Sequence, residues 1–458
     1  MLRHAIATAA VLMFAACASA PQRVIEAGDP VAAFTNVTVV TEYGGERLAG
    51  HTVAMRGDRI IAVAPSSAIV LPDGAVIADG GGGLLAPGIA DMHVHYQDPH
   101  VGALFIANSI TTVRNPSGGG NTLELIGQIA SGEVVGPTMY ASGQLIDGPN
   151  SLWGPTVVTE TVEGVRERVR ADAAAGYRAV KLYAQLTPDQ FRAGVEEARA
   201  HGMQVYAHVP ASMTLEEVLA LGIDSIEHLD GFDRSLGGEG QRSQQRWANA
   251  NADRYAHLAA IVRGSGVWST PTLIVNLAPT RAFADMDAAD AEPHMRYASQ
   301  GLLGFWRSYG RFFQGDVAAV YRVAQQAHAS RIAMLSALRE AGAPVLLGTD
   351  TPNPFVMYGF SIHEELGFFS QAGYSNTEIL RIATLEAARF LDQQGEFGAI
   401  REGARADLLL LDGDPEQDLA VLRAPNGVMT AGRWFDRAAL DAELEAVAAY
   451  AATPMPQQ

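Results

Sequence analysis

The sequence predicts an α/β protein in which eight strand–helix units close into a barrel, with a smaller β domain contributed by the two chain ends. Three observations predict it. Eight apolar strand candidates follow one another: APGIADMHVH, SITTVRN, TMYASGQLI, RAVKLYA, MQVYAHV, DSIEHL, VWSTPTL and APVLLGTD. Helical stretches such as TVEGVRERVRADAAAG and TPDQFRAGVEEARAHG lie between them, the alternation of parallel βα units. Short strands with glycine turns flank the array on both sides, FTNVTVV, HTVAMRGDRIIAVA and AVIADG before it and ADLLLLDGD and GVMTAGRWF after it. Eight βα units make a TIM (β/α)8 barrel, whose active site lies at the C-terminal strand ends. The flanking strands are placed to pair with each other.

The chain opens with MLRH and the apolar stretch AIATAAVLMFAA, a basic start and hydrophobic run of signal-peptide length. The run ends at Cys17, the only cysteine. FAAC resembles the lipobox of bacterial lipoproteins, which implies a lipidated Cys17 as the mature N-terminus. Ala18 follows rather than aspartate, so the resemblance implies a periplasmic protein anchored to the outer membrane of the cell envelope. Ordinary cleavage near Ala18 or Ala20, with secretion as a soluble protein, is the alternative. The expected organisation is a signal peptide over 1–20, a composite β domain from 30–86 and 398–440, and a barrel over 87–397. After the last barrel strand, SIHEELGFFSQAG and NTEILRIATLEAARFLD read as a helical pair.

A net charge of −18 argues against a nucleic-acid surface, which needs a basic stripe. The central chain holds no apolar run of 18 or more residues, so any membrane contact is expected only through a lipid anchor at Cys17. The expected partner is a small-molecule substrate; self-association into a homo-oligomer is left open.

The chemistry sits at the inferred strand ends. Strand 1 ends in His93-Val-His95, and residues two apart on a strand face the same way. Strand 4 carries Lys181, strand 5 ends at His208, strand 6 at His228 and strand 8 at Asp350. Imidazoles and a carboxylate converging on one barrel mouth form a divalent-metal site, with zinc the default for a histidine-rich set. A single strand histidine is an ordinary core residue, and an Asp after Gly-Thr is an ordinary helix cap. Six such residues in order on one rim are not ordinary.

ADMHVH, VKLYA, YAHVP, SIEHLDGF, LLGTD and the closing GAIREGARADLLLLDGDP resemble the amidohydrolase superfamily, in particular its imidazolonepropionase-like and prolidase-like branch, over nearly the whole chain after the leader. The resemblance implies a metal-dependent hydrolase of amide C–N bonds, acting on dipeptides or N-acyl amino acids, on a barrel flanked by a small β-sandwich built from both chain ends. It implies two divalent metal ions, His93 and His95 on one and His208 and His228 on the other, with Asp350 as ligand and catalytic proton shuttle. It also implies that carbon dioxide adds to Lys181, the resulting carbamate bridging the metals.

Lys181 is the only lysine among 32 Lys and Arg residues. Carbamate formation needs a neutral primary amine, which a buried lysine supplies and an arginine cannot. The other reading is a structural lysine that drift has left in place.

Three further residues have two readings each. Tyr183, two after Lys181, either donates to the substrate oxyanion or packs. Arg114, ending strand 2, either holds a substrate carboxylate or pairs within the barrel. His363 either meets substrate or anchors a helix. The aromatic run GLLGFWRSYGRFF, 301–313, is read as a helix core before a substrate lid.

A deaminase reading fails on HVPASMT, which lacks the acid that such enzymes carry after the strand-5 histidine. Lactone, ester or organophosphate hydrolysis is the alternative on the same centre. A non-catalytic scaffold would have lost ligands, and all six are present.

Overall fold

The computed structural model describes residues 22–26, 30–151, 156–240, 242–313 and 315–454. The leader and Cys17 lie outside the described residues.

Seven short strands run parallel around the barrel: Ile89–Asp91, Ile110–Asn115, Thr138–Ala141, Ala179–Leu182, Gln204–Ala207, Ser225–Glu227 and Trp268–Thr270. The third was expected as one strand. It breaks at Ser142–Gln144, and a second piece, Leu145–Asp147, carries the pairing to the fourth strand through Ile146 and Leu182. The eighth position is extended chain rather than a regular strand. Leu346 N donates to Ser269 O (2.9 Å) and Met92 N to Leu347 O (2.8 Å), and this double attachment closes the ring.

The helices between strands obey their local sequence. Thr187 caps Pro188–Ala200 in a capping box with Gln190, and the buried face Phe191, Val195 and Ala198 packs inward. Val162–Ala175 begins at the Thr161 cap and ends at Gly176, whose φ of 98° stops the helix. Each such cap is worth about 1 kcal/mol, and the apolar faces supply the rest through burial.

The chain ends build one mixed sheet. Its strand order is Arg433–Asp436, Gly427–Thr430, Leu408–Leu411, Leu84–Pro87, Val31–Val40, Arg47–Arg56 and Arg59–Pro65, with Val76–Asp79 also on Val31–Val40. The sheet is sandwich-like because both faces are covered. Val31 and Ala33 face a small cluster with Ala54, Ala62 and Ile69, while Phe34 faces Val53, Met55, Leu408 and Met429. A register shift between Phe34 and Val37 then turns Val37 and Val39 onto the Phe34 face. Arg405 ties this sheet to the barrel, paired with Asp407 and donating to Thr112 Oγ1 at 2.9 Å.

A helix the sequence reading did not anticipate follows the last strand. Arg437–Ala451 packs against the segments Gly102–Ile106 and Pro293–Tyr297. From it, Tyr450 donates to Asp98 Oδ2 (2.9 Å) and stacks on His100, so the tail braces the loop after the first barrel strand.

Candidate metal centre

All six residues singled out at strand ends meet at one mouth and line one cavity of about 600 Å³. His95 Nε2 lies 2.9 Å and His93 Nε2 3.4 Å from Asp350 Oδ1, and His228 Nε2 lies 3.6 Å from Asp350 Oδ2. The His93 and His228 ring centroids are 4.6 Å apart, and those of His228 and His208 4.8 Å.

Backbone geometry explains how neighbouring residues serve the site. A regular strand alternates its faces, so Glu227 and His228 should point apart. His228 instead takes φ 60°, and Asp350 takes φ 62°. The left-handed region is costly for both residue types, and its use at two strand ends marks a place where the fold holds an unfavourable backbone for the site.

Each imidazole is oriented from behind. Glu227 Oε2 lies 2.6 Å from His93 Nδ1, and Thr272 Oγ1 lies 2.5 Å from His228 Nδ1. Asp230 Oδ2 stands 3.5 Å from His208 Nδ1 and also accepts from Val209 N. With Nδ1–H donating backward, Nε2 presents its lone pair to the mouth. Burial pulls His93 down to about 4, and lowers His208 and His228 as well, so all three rings are neutral at pH 7.

Burial opposes ionisation of Asp350, but His228, His93 and His95 outweigh it and hold the carboxyl well below the usual range. Lys181 is pulled down to about 8, first by burial and then by Arg114, against Glu227, Asp350 and Asp230.

The donor set fits divalent cations. Lys181 Nζ and His208 Nε2 are buried without a hydrogen-bond partner, and Asp350 Oδ1 meets only the ring nitrogens of His95 and His93. Ligand atoms of His93, His95 and Asp350 lie within 4.8 Å of one another. Lone pairs from imidazoles and a carboxylate, gathered this closely, form a donor set that suits a positive charge between them.

A model of the amidohydrolase family matches residues 84–435. The chain belongs to the amidohydrolase family. Among sequence relatives, it is 29% identical over 247 residues to an uncharacterized protein of Mycobacterium tuberculosis, covering 54% of this chain and 52% of that one. The match thus spans about half the length of that relative. It is 22% identical over 410 residues to ochratoxinase of Aspergillus niger, covering 75% of this chain and 73% of the relative. Among solved structures, a Xaa-Pro dipeptidase with bound methionine superposes with a TM-score of 0.64 at 19% identity, covering 89% of this chain and all of that one. At that identity the likeness concerns the amidohydrolase fold alone.

Two readings are open for Arg114 and for His363, and the structure places neither residue at the substrate cavity. Arg114 does not reach the cavity of this amidohydrolase. It is fully buried inside the barrel, donating to Met92 O, Ser225 Oγ, Glu227 Oε2 and Thr270 Oγ1, over the Tyr206 ring. A guanidinium so fully engaged has nothing left for a substrate carboxylate. His363 is buried in the first turn of Ile362–Gln371, its Nε2 2.9 Å from Asn108 Oδ1, and takes no part in the cavity wall. Tyr183 lines the mouth, its ring 4.0 Å from that of His208. The aromatic run divides: Trp306 is buried and donates to Pro352 O (2.8 Å), while Phe305 lines the cavity.

Sequence reasoning missed Glu227, Asp230 and Thr272, which orient the histidines, and the cavity residues Trp247 and Arg331. An acid one residue before or two after a ligand histidine was a visible signal for the first two.

Proposed function

We propose that this protein is a binuclear, metal-dependent hydrolase of amide C–N bonds in dipeptides or N-acyl amino acids. The observation that carries it is the convergence of four histidines, Lys181 and Asp350 on one cavity, with Lys181 Nζ and His208 Nε2 buried and unpartnered among them. His93 and His95 would hold one cation and His208 and His228 the other. Zinc suits this histidine-rich donor set, and such cations, when bound, would lower the pKa of water and polarise the substrate carbonyl.

Lys181 contributes as a carbamate. Its neutral amine adds to carbon dioxide, an N–C bond forms and one N–H proton leaves to water, turning a buried amine into an anion that would serve as a further ligand. Its lowered pKa makes the neutral amine available near physiological pH.

Asp350 moves the proton. It accepts one from water as the water oxygen bonds to the carbonyl carbon. It then gives that proton to the leaving nitrogen as the C–N bond breaks, releasing a carboxylate and an amine. Tyr183 stands beside His208 at the mouth, where its hydroxyl donates to the oxygen that gains charge.

Location in the bacterial envelope, by lipidation of Cys17, belongs to the same proposal. The catalytic reading is tested by screening zinc-loaded protein against N-acyl amino acids, dipeptides, lactones and phosphotriesters. Fastest turnover is expected on the first two classes; turnover confined to lactones or phosphotriesters would overturn it.

A further inference from the structure

We propose that Arg331 is the substrate-carboxylate anchor of this site. The proposal rests on the amide-hydrolase reading and names the group that such a substrate presents away from the scissile bond.

Arg331 comes from the long helix Val317–Ala341 and is 1% exposed, yet it lines the same cavity as the histidines and Asp350. The cost of burying a guanidinium is met elsewhere in this chain by a carboxylate. Arg114 has Glu227 at 2.9 Å, and Arg405 has Asp407 at 2.6 Å. Arg331 has no carboxylate within ion-pair reach among the described residues. The acid whose charge acts on it, Asp233, is taken by Arg246 Nε at 2.7 Å.

What surrounds Arg331 orients it without neutralising it. Gln244 Oε1 accepts from Nη1 at 2.9 Å, and the Gln244 amide is itself fixed by donating to Asn276 O at 2.8 Å. The guanidinium lies over the buried Trp247 ring at 5.0 Å. Its Nε is buried with no partner. An aromatic face and a neutral amide hold the plane of the fork while leaving a donor edge unused, and a planar, two-oxygen anion completes such an edge.

Burial pulls the group down only to about 9, so it is cationic at neutral pH. A cavity of about 600 Å³ lined both by the histidines with Asp350 and by this cation accepts a small substrate that carries an amide and a carboxylate. An N-acyl amino acid or a dipeptide with a free C-terminus carries both groups. Phe305 and Val275 line the same space and offer apolar contact to its side chain.

The test compares N-acetyl-L-phenylalanine, N-acetyl-L-leucine and Gly-L-Phe with their C-terminal amides on the zinc-loaded full chain. Kinetics and calorimetric binding are both read. Wild type should favour each acid over its amide by roughly ten- to a hundredfold, carried mainly in KM and Kd. Arg331→Met should erase the preference by weakening the acids alone, and Arg331→Lys should restore part of it. Gln244→Glu supplies a carboxylate to Arg331 from within and should erase the preference with Arg331 still in place, which covers the case of an Arg331→Met chain that does not fold.

Acid and amide handled equally by wild type, or an acid preference that survives Arg331→Met or Gln244→Glu, would overturn the proposal while leaving amide hydrolysis standing. If no amide bond is cleaved, the hydrolase reading fails instead. The calorimetric comparison then still decides Arg331: acid-selective binding lost in the variants supports it, and its absence in wild type rejects it.

Discussion

At the scale of single residues, the proposed chemistry depends most on Lys181. Its pKa is lowered to about 8 from the ordinary 10.5, by burial first. The neutral amine therefore gains roughly tenfold per pH unit up to about 8 and then saturates, rather than rising to pH 10.5. Reconstitution of metal-stripped protein with zinc, at fixed dissolved carbon dioxide, should follow that curve. A rate that keeps climbing beyond pH 9 would show an amine with an ordinary pKa. If the proposed carbamate forms, Lys181→Arg should abolish it with most of the activity, and Lys181→Ala should be partly rescued by a short carboxylic acid. Asp350→Asn separates the two roles of that residue: it keeps a ligating oxygen but cannot take a proton. Metal should stay while kcat falls by roughly a hundredfold or more. Near wild-type turnover with both metals bound would move the proton shuttle elsewhere.

At the scale of elements, the barrel strands are joined by a polar layer beneath the metal ligands. Arg114 on the second strand reaches Glu227 on the sixth and Thr270 on the seventh, and Glu227 in turn holds His93. Glu227→Gln leaves the guanidinium buried without its counter-charge, and should cost about 3–5 kcal/mol in denaturant unfolding as well as loosening His93. The double variant Glu227→Gln with Arg114→Met should recover much of the stability but not the orientation of His93, so metal affinity should stay low. Recovery of both would reduce the pair to packing.

These elements also show what a sequence makes legible. The strand order, the parallel βα alternation and the six mouth residues could be read because side-chain period and strand-end position are local signals. His228 and Asp350 were readable as mouth residues, but their positive φ was not, because the backbone there is set by neighbours across the barrel. Arg114 was visible as a strand-end cation, yet its engagement by Glu227, Ser225 and Thr270 depends on strands far away in the chain. Arg331 was invisible for the same reason: it lies mid-helix, 19 residues before Asp350, and only packing brings it to the cavity. His363 had the right residue type after the right strand, but the helix turns it toward Asn108.

At the scale of the whole molecule, the two chain ends close over each other in one sheet, and the tail helix reaches back to Asp98 beside the cavity. No helix among the described residues is long and apolar enough to cross a membrane, so the proposed envelope location rests on Cys17. The native protein should therefore partition with membranes, and Cys17→Ala should release it or leave it unprocessed. A fully soluble native protein whose N-terminus is residue 19 or 21 would favour simple secretion.

The central claim is that paired cations held by four histidines, Lys181 and Asp350 perform amide hydrolysis. Its most direct test is a zinc titration of chelator-treated protein, in the presence of bicarbonate, with turnover of an N-acyl amino acid followed at each addition. Two zinc ions should bind per chain, with full activity returning only as the second site fills. Undiminished turnover by the metal-free protein, or full activity from one ion per chain, would contradict it.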